Sequence, residues 1–178
     1  MKKLLTLAVV AAAFFAAPSM NAQDFKVDKS PMDQASFPKD YKDSNKLIKV
    51  TYSRPQLKGR ELATLAPEGK VWRMGANEAV EVTLYKDMKL GTTPVQAGTY
   101  TMYAIPQGKE WTIILNKDLN VWGSYFYNEK NDVARITVPV ETADESIEYF
   151  GMEFMPVDKG AHLVGAWGNA RVQIPFYN

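Results

Sequence analysis

Apolar residues in this chain recur every second position, in short runs, nearly everywhere beyond residue 46. Ile48, Val50 and Tyr52 alternate with Lys49, Thr51 and Ser53, and Val80, Val82 and Leu84 alternate with Glu81, Thr83 and Tyr85. A strand sends successive side chains to opposite faces, so this spacing suits half-buried strands and cannot give a helix one apolar side. No window keeps a helical period beyond a turn or two, and only 60–65 is expected to make one short helical turn. Residues 88–90 and 93–95 flank Gly91–Thr92 as a small hairpin. Strands are further expected at 99–105, 111–115, 133–140 and 147–154. The runs 162–167 and 170–177 face each other across Gly168–Asn169 as a closing hairpin. Short strands without crossover helices predict an all-β fold, an antiparallel β-sandwich of eight or nine strands. A closed β-barrel is the alternative.

The N-terminus follows a different rule. Lys2 and Lys3 precede an apolar run from Leu4 to Ala17, then Pro18 to Ala22. This is the pattern of a secretory signal peptide, and the run is shorter than the roughly 20 residues of a membrane span. Cleavage is expected after Ala22, giving a periplasmic or secreted protein with no membrane insertion after signal cleavage. Residues 23–45 read as an extended polar lead-in with few core contacts, and 46–178 as a single domain.

Composition excludes several kinds of chemistry. The chain of 178 residues has no Cys and one His. Disulfides, thiol catalysis and thiolate metal sites are therefore ruled out, as is any site needing two imidazoles. Removing Lys2 and Lys3 leaves 19 of the 21 basic residues against 20 acidic ones. A near-neutral chain lacks the basic surplus that nucleic acid demands. No metal or cofactor is expected, and no nucleophile elbow or phosphate-cradling glycine loop occurs.

The segment from Arg54 to Asn77 is long for a β domain, where loops beyond about 12–15 residues are usually functional or disordered. Leu57, Leu62, Leu65, Val71, Trp72 and Met74 within it should pack, and Arg54, Arg60 and Arg73 give it cations. Extending strand parity puts Arg54 and Glu78 inward at one rim, where they are expected to meet directly or through a ligand. They form either a structural clamp or a pocket with Asn77 in which Arg grips an anion. Trp111 and Trp122, with Tyr125, Phe126 and Tyr127, form an aromatic group that either stacks on sugar rings or packs as a small core. His162, alone on its strand, reads as a structural or surface residue.

The runs Tyr52–Ser53–Arg54–Pro55, Lys58–Gly59–Arg60, Gly69–Lys70–Val71–Trp72–Arg73 and Gly75–Ala76–Asn77–Glu78 form a distinctive series. Ala97–Gly98–Thr99–Tyr100, Trp111 with Ile114 and Asn116, Trp122–Gly123–Ser124–Tyr125, Tyr127, Asp132 and Arg135 continue it. From residue 47 to the C-terminus the chain resembles a family of exported bacterial proteins known as a domain of unknown function, number 2911. That resemblance implies one domain and assigns no reaction and no site. The residues themselves favour a binding module for a small anion or saccharide near the Arg54–Glu78 loop. A metal-independent hydrolase or lyase using Glu78 as base, and a structural or interaction protein, are the alternatives. The sequence assigns no catalytic residue. The intact mass of the exported protein should correspond to a chain beginning at Gln23; retention of Met1 would overturn the export reading.

Overall fold

The computed structural model describes residues 26–178, so the expected signal peptide lies outside it. The described chain is all-β apart from α1 (Leu62–Leu65) and a single 3₁₀ turn (Glu129–Asn131). Strands β1 (Met32–Phe37), β2 (Ile48–Ser53), β3 (Val80–Leu84), β4 (Met88–Leu90) and β5 (Thr93–Val95) come first. They are followed by β6 (Gly98–Gln107), β7 (Glu110–Asn116), β8 (Asp132–Val157) and β9 (Gly160–Tyr177). All nine join one antiparallel sheet in the order β1-β2-β3-β6-β7-β8-β9-β4-β5. Strands β1 and β5 are its edges and do not pair, so the sheet is not closed and the barrel alternative is corrected. The period-two residues behave as their spacing predicts: Ile48, Val50, Val80, Val82 and Leu84 are all buried.

Three expectations change. The polar lead-in carries β1, which pairs with β2 residue by residue, and Phe37 packs on Phe154 with ring centres 6.4 Å apart. Its sequence, MDQASF, has no alternation to reveal a strand, because an edge strand can be held by its neighbour's backbone. The two strands expected at 133–140 and 147–154 are one element, β8, with register shifts after Thr142 and Ile147. Its polar middle is held from β9, where Asn169 donates to the Ala143 carbonyl at 2.7 Å and Arg171 to that of Glu145 at 3.1 Å.

The third concerns β9, which is one continuous run of extended backbone rather than two separate strands. It is nonetheless far from straight. At roughly 3.3 Å per residue, His162 and Tyr177 would stand about 50 Å apart in a straight strand. Instead the His162 ring nitrogens lie 3.1 Å from Gln173 Oε1 and 3.2 Å from Tyr177 Oη. The Asn178 N–H donates to the Lys159 carbonyl at 2.8 Å. The chain doubles back at Gly168, where φ is +56°, so its two halves lie side by side as the expected hairpin required.

The long loop between β2 and β3 is pinned into the core by Trp72. Its indole stacks on Trp167 at 5.8 Å and meets Trp111 and Phe150 edge-on at 5.6 and 5.5 Å. Its backbone exchanges two hydrogen bonds with Ala104 on β6. Tyr52 makes a second tie, between β2 and β8. Its hydroxyl accepts from the Met152 N–H at 3.0 Å and lies 3.3 Å from the Met152 carbonyl.

Two substitutions test these ties. Trp72→Ala should cost about 3–5 kcal/mol in chemical denaturation, with Trp72→Phe costing less. Tyr52→Phe keeps the ring but strips the acceptor from the Met152 N–H, and should cost about 1–3 kcal/mol. A Trp72→Ala protein as stable as the parent would mean that the loop is not anchored by this ring.

Candidate functional site

The outward faces of β1, β2 and β3 carry a cleft of about 340 Å³ at one end of the sheet. The register explains its composition. Met32 pairs with Ser53 and Thr51 pairs with Glu81, so these four side chains project together on the face opposite the core. Two loops complete the walls with Glu78, Ala79 and Asn120. The Asn120 N–H donates to Glu81 Oε1 at 2.9 Å, which ties the second loop to β3. Beside the cleft, Glu78 forms an isolated antiparallel bridge with Trp122. Residues paired in this way project on the same side, so carboxylate and indole are neighbours. Both are exposed, Trp122 by 56%.

A polar network rooted in buried Asn116 and reaching the surface at Arg135 holds the loop that carries Asn120 and Trp122. Asn116 is fully buried and donates to Asp132 Oδ1 at 2.7 Å and to the Asn128 carbonyl at 3.0 Å. Its own oxygen accepts from the Asp118 N–H. Tyr127 Oη donates to Asp132 Oδ2 at 2.7 Å, and Arg135 Nε reaches the same oxygen at 2.6 Å. Tyr127 also packs edge-on against buried Tyr103, with ring centres 5.2 Å apart. The turn itself needs Gly123. Its φ is +67°, and a Cβ there would lie 2.7 Å from the Tyr125 ring. The result is a loop with a fixed base and exposed aromatic tips, Tyr125 at 77% and Phe126 at 83%.

The residues singled out from the sequence divide into two groups. Asn77, Glu78 and Trp122 come together: Asn77 is left-handed at φ +58° and its carbonyl accepts the Gly123 N–H at 2.9 Å. The others stand elsewhere. Arg54 does not pair with Glu78. Its Nη1 reaches Asp33 Oδ2 at 3.3 Å, its Nε donates to the Phe150 carbonyl at 3.3 Å, and its guanidinium lies over the Tyr149 ring. The carboxylate that faces Arg54 therefore comes from β1 and not from Glu78. Glu78 lies before the first residue of β3, Val80, so the alternation of that strand does not govern it; it is exposed, and Ala79 is buried in a small cluster with Tyr103 and Ile114. Arg60 is bound to the carbonyls of Leu57 and Gln56. Arg73 Nε is buried with no hydrogen-bond partner. Trp111 is only 5% exposed and belongs to the Trp72 cluster, so it presents no stacking surface.

Glu81, Asn120, Thr51 and Ser53 were not anticipated. For Thr51, Ser53 and Glu81 the signal was present in the outward-parity positions of β2 and β3, whereas attention to the inward parity selects core residues; Asn120 stands on a loop and carried no such signal. Among the described residues there is no group of three or more His, Asp or Glu placed to hold a metal ion.

A family model described as a protein of unknown function, DUF2911, matches residues 30–176. The chain belongs to the DUF2911 family. No curated protein and no solved structure matches it. In this DUF2911 chain the matched span contains both walls of the cleft, the Asp132 network and the sheet from β1 to all but the last residue of β9.

The network also sets a pH limit. Burial, together with the charges of Asp118 and Asp132, pushes the Tyr103 phenol up to about 12. Burial and the hydrogen bond to Asp132 do the same for Tyr127, with Arg135 opposing in part. In the unfolded chain both phenols ionise near pH 10. Above that pH the unfolded state loses protons first, so this stability is complete below about pH 10 and is lost as pH rises toward 12. Denaturation midpoints should fall across that window, and Tyr127→Phe should flatten the fall. An unchanged profile in Tyr127→Phe would remove this tyrosine from the alkaline transition.

Proposed function

We propose that this chain is an exported binding module whose ligand is a neutral saccharide, held in the cleft beside Trp122. The observation that carries the reading is the pairing of Glu78, a residue of the cleft wall, with the exposed indole of Trp122. Sugar hydroxyls both donate and accept. Glu78 offers acceptors, Asn120 a side-chain amide, and Thr51 and Ser53 hydroxyls, all converging on one volume. The C–H face of a pyranose is apolar and suits an indole, which combines large apolar area with little rotamer entropy. Two carboxylates in the lining, Glu78 and Glu81, disfavour an anion at this position. The polar network under the loop supports preorganisation, because a fixed platform loses little entropy on binding.

The same proposal includes export, with residues 1–22 removed, and a sheet folded over into a sandwich. Support for the sandwich comes from contacts between strands far apart in the sheet order. Tyr52 on β2 meets Phe150 on β8 edge-on at 5.8 Å, and Phe37 on β1 meets Phe154 on β8.

Titration with a panel of neutral oligosaccharides, followed by tryptophan fluorescence and calorimetry, tests the binding reading. At least one member should give a saturable signal. Trp122→Ala should abolish the fluorescence response, and Glu78→Gln should weaken binding by about tenfold. A full panel without saturation, or an identical response in Trp122→Ala, would overturn the proposal.

A further inference from the structure

We propose a second site, independent of the saccharide reading, that binds a tetrahedral oxyanion such as a phosphate or sulfate group. It lies in a cleft of about 400 Å³ between residues 29–30 and the turn at 55–60. Its lining is Lys29, Ser30, Pro55, Gln56, Lys58 and Arg60, three cations without a carboxylate. None of the three cations takes part in an ion pair found among the described residues.

The cluster is assembled by specific contacts. Gln56 Nε2 donates to the Lys29 carbonyl at 3.2 Å, which brings the N-terminal segment against the turn. Arg60 is held by its own backbone: Nε donates to the Leu57 carbonyl and Nη2 to that of Gln56, each at 2.8 Å. These bonds leave Nη1 for a ligand and hold the planar fork in one orientation. Lys58 has φ +50° and is followed by Gly59 at +72°. A lysine rarely adopts that conformation, and residues held in it cluster at ligand sites. Here Glu148 Oε1 fixes it by accepting the Lys58 N–H at 2.8 Å.

Two carboxylates stand at the edges of the cluster, Glu148 on the Lys58 N–H and Asp28 on the Ser30 N–H at 2.6 Å. Each is held by a backbone donor, and neither forms an ion pair with the three cations. Three like charges gathered around one hollow repel one another and are relieved by an anion. Phosphate and sulfate provide several acceptors for a guanidinium fork and two ammonium groups. The near-neutral chain argues against a polyanion such as nucleic acid and favours a single oxyanion, free or esterified to a small molecule.

The experiment is a titration of the full mature chain with inorganic phosphate, read by calorimetry and thermal midpoint, with chloride at equal ionic strength as the control. Phosphate should raise the midpoint saturably where chloride does not. Lys58→Asn removes the charge but suits the left-handed backbone; combined with Lys29→Gln it should weaken phosphate binding by about tenfold. Arg60→Lys keeps the charge but loses the fork, and should also weaken it. Trp122→Ala should bind phosphate as the parent does, which separates this site from the saccharide cleft. A parallel titration with a hexose 6-phosphate identifies the source: tighter binding than inorganic phosphate marks an ester, and equal binding marks the free ion. A phosphate response matched by chloride, or unchanged in the Lys29 and Lys58 double variant, would overturn the proposal.

Discussion

The burial of Trp72 is the constraint on which the rest of this structure depends. One indole from a loop contacts Trp111 on β7, Phe150 on β8 and Trp167 on β9. A loop of this length would ordinarily be costly to order, since each residue fixed loses about 1–2 kcal/mol of backbone entropy. A large aromatic anchor offsets part of that cost at its centre, and the two bonds to Ala104 hold the chain on either side. With the middle of the loop pinned, its two ends are placed as well. One end forms the turn with Lys58 and Arg60, and the other supplies Glu78. Both clefts thus depend on a ring that faces neither of them.

Tyr52 and Arg54 solve a different problem. Strand β8 must leave β7 to accompany β9, and its backbone near Phe150 and Met152 has groups that need partners inside the protein. Tyr52 of β2 and Arg54 just beyond its end supply them: the Tyr52 hydroxyl serves Met152, and the Arg54 guanidinium serves Phe150. Buried backbone groups are nearly always satisfied, and here side chains do what a neighbouring strand would otherwise do. Asp33 then balances the Arg54 charge from β1, which gives the polar lead-in a part in the fold.

The alternation of apolar residues made most of the sheet legible in the sequence. It placed β2, β3, the β4–β5 hairpin, β6 and β7 within a residue or two, because each has one face buried and one wet. It failed where that asymmetry is missing. Strand β1 lies at an edge without an apolar stripe, and the middle of β8 is polar on both faces. The site was legible as residue types but not as a place. Parity carried Glu78 inward because nothing in the letters shows that β3 begins only at Val80. Trp111 and Trp122 looked alike as members of one aromatic group, yet one is core and the other is exposed, and only tertiary packing distinguishes them. Glu81 and Asn120 meet through a loop-to-strand contact far apart in the sequence, and no local pattern records such a contact.

That the sheet stays open has a consequence for association between molecules. An unclosed sheet has two rails along which foreign backbone could be laid. On β5 the rail is three residues long, and its middle residue, Pro94, has no N–H to offer. On β1 the rail is flanked by charge, with Lys39 paired to Glu153 of β8 and Asp33 to Arg54. An incoming strand would find too few donors at one end and would have to desolvate ion pairs at the other. Without cysteines to lock it, the protein relies on these two unfavourable rails to keep its sheet from growing by strand addition.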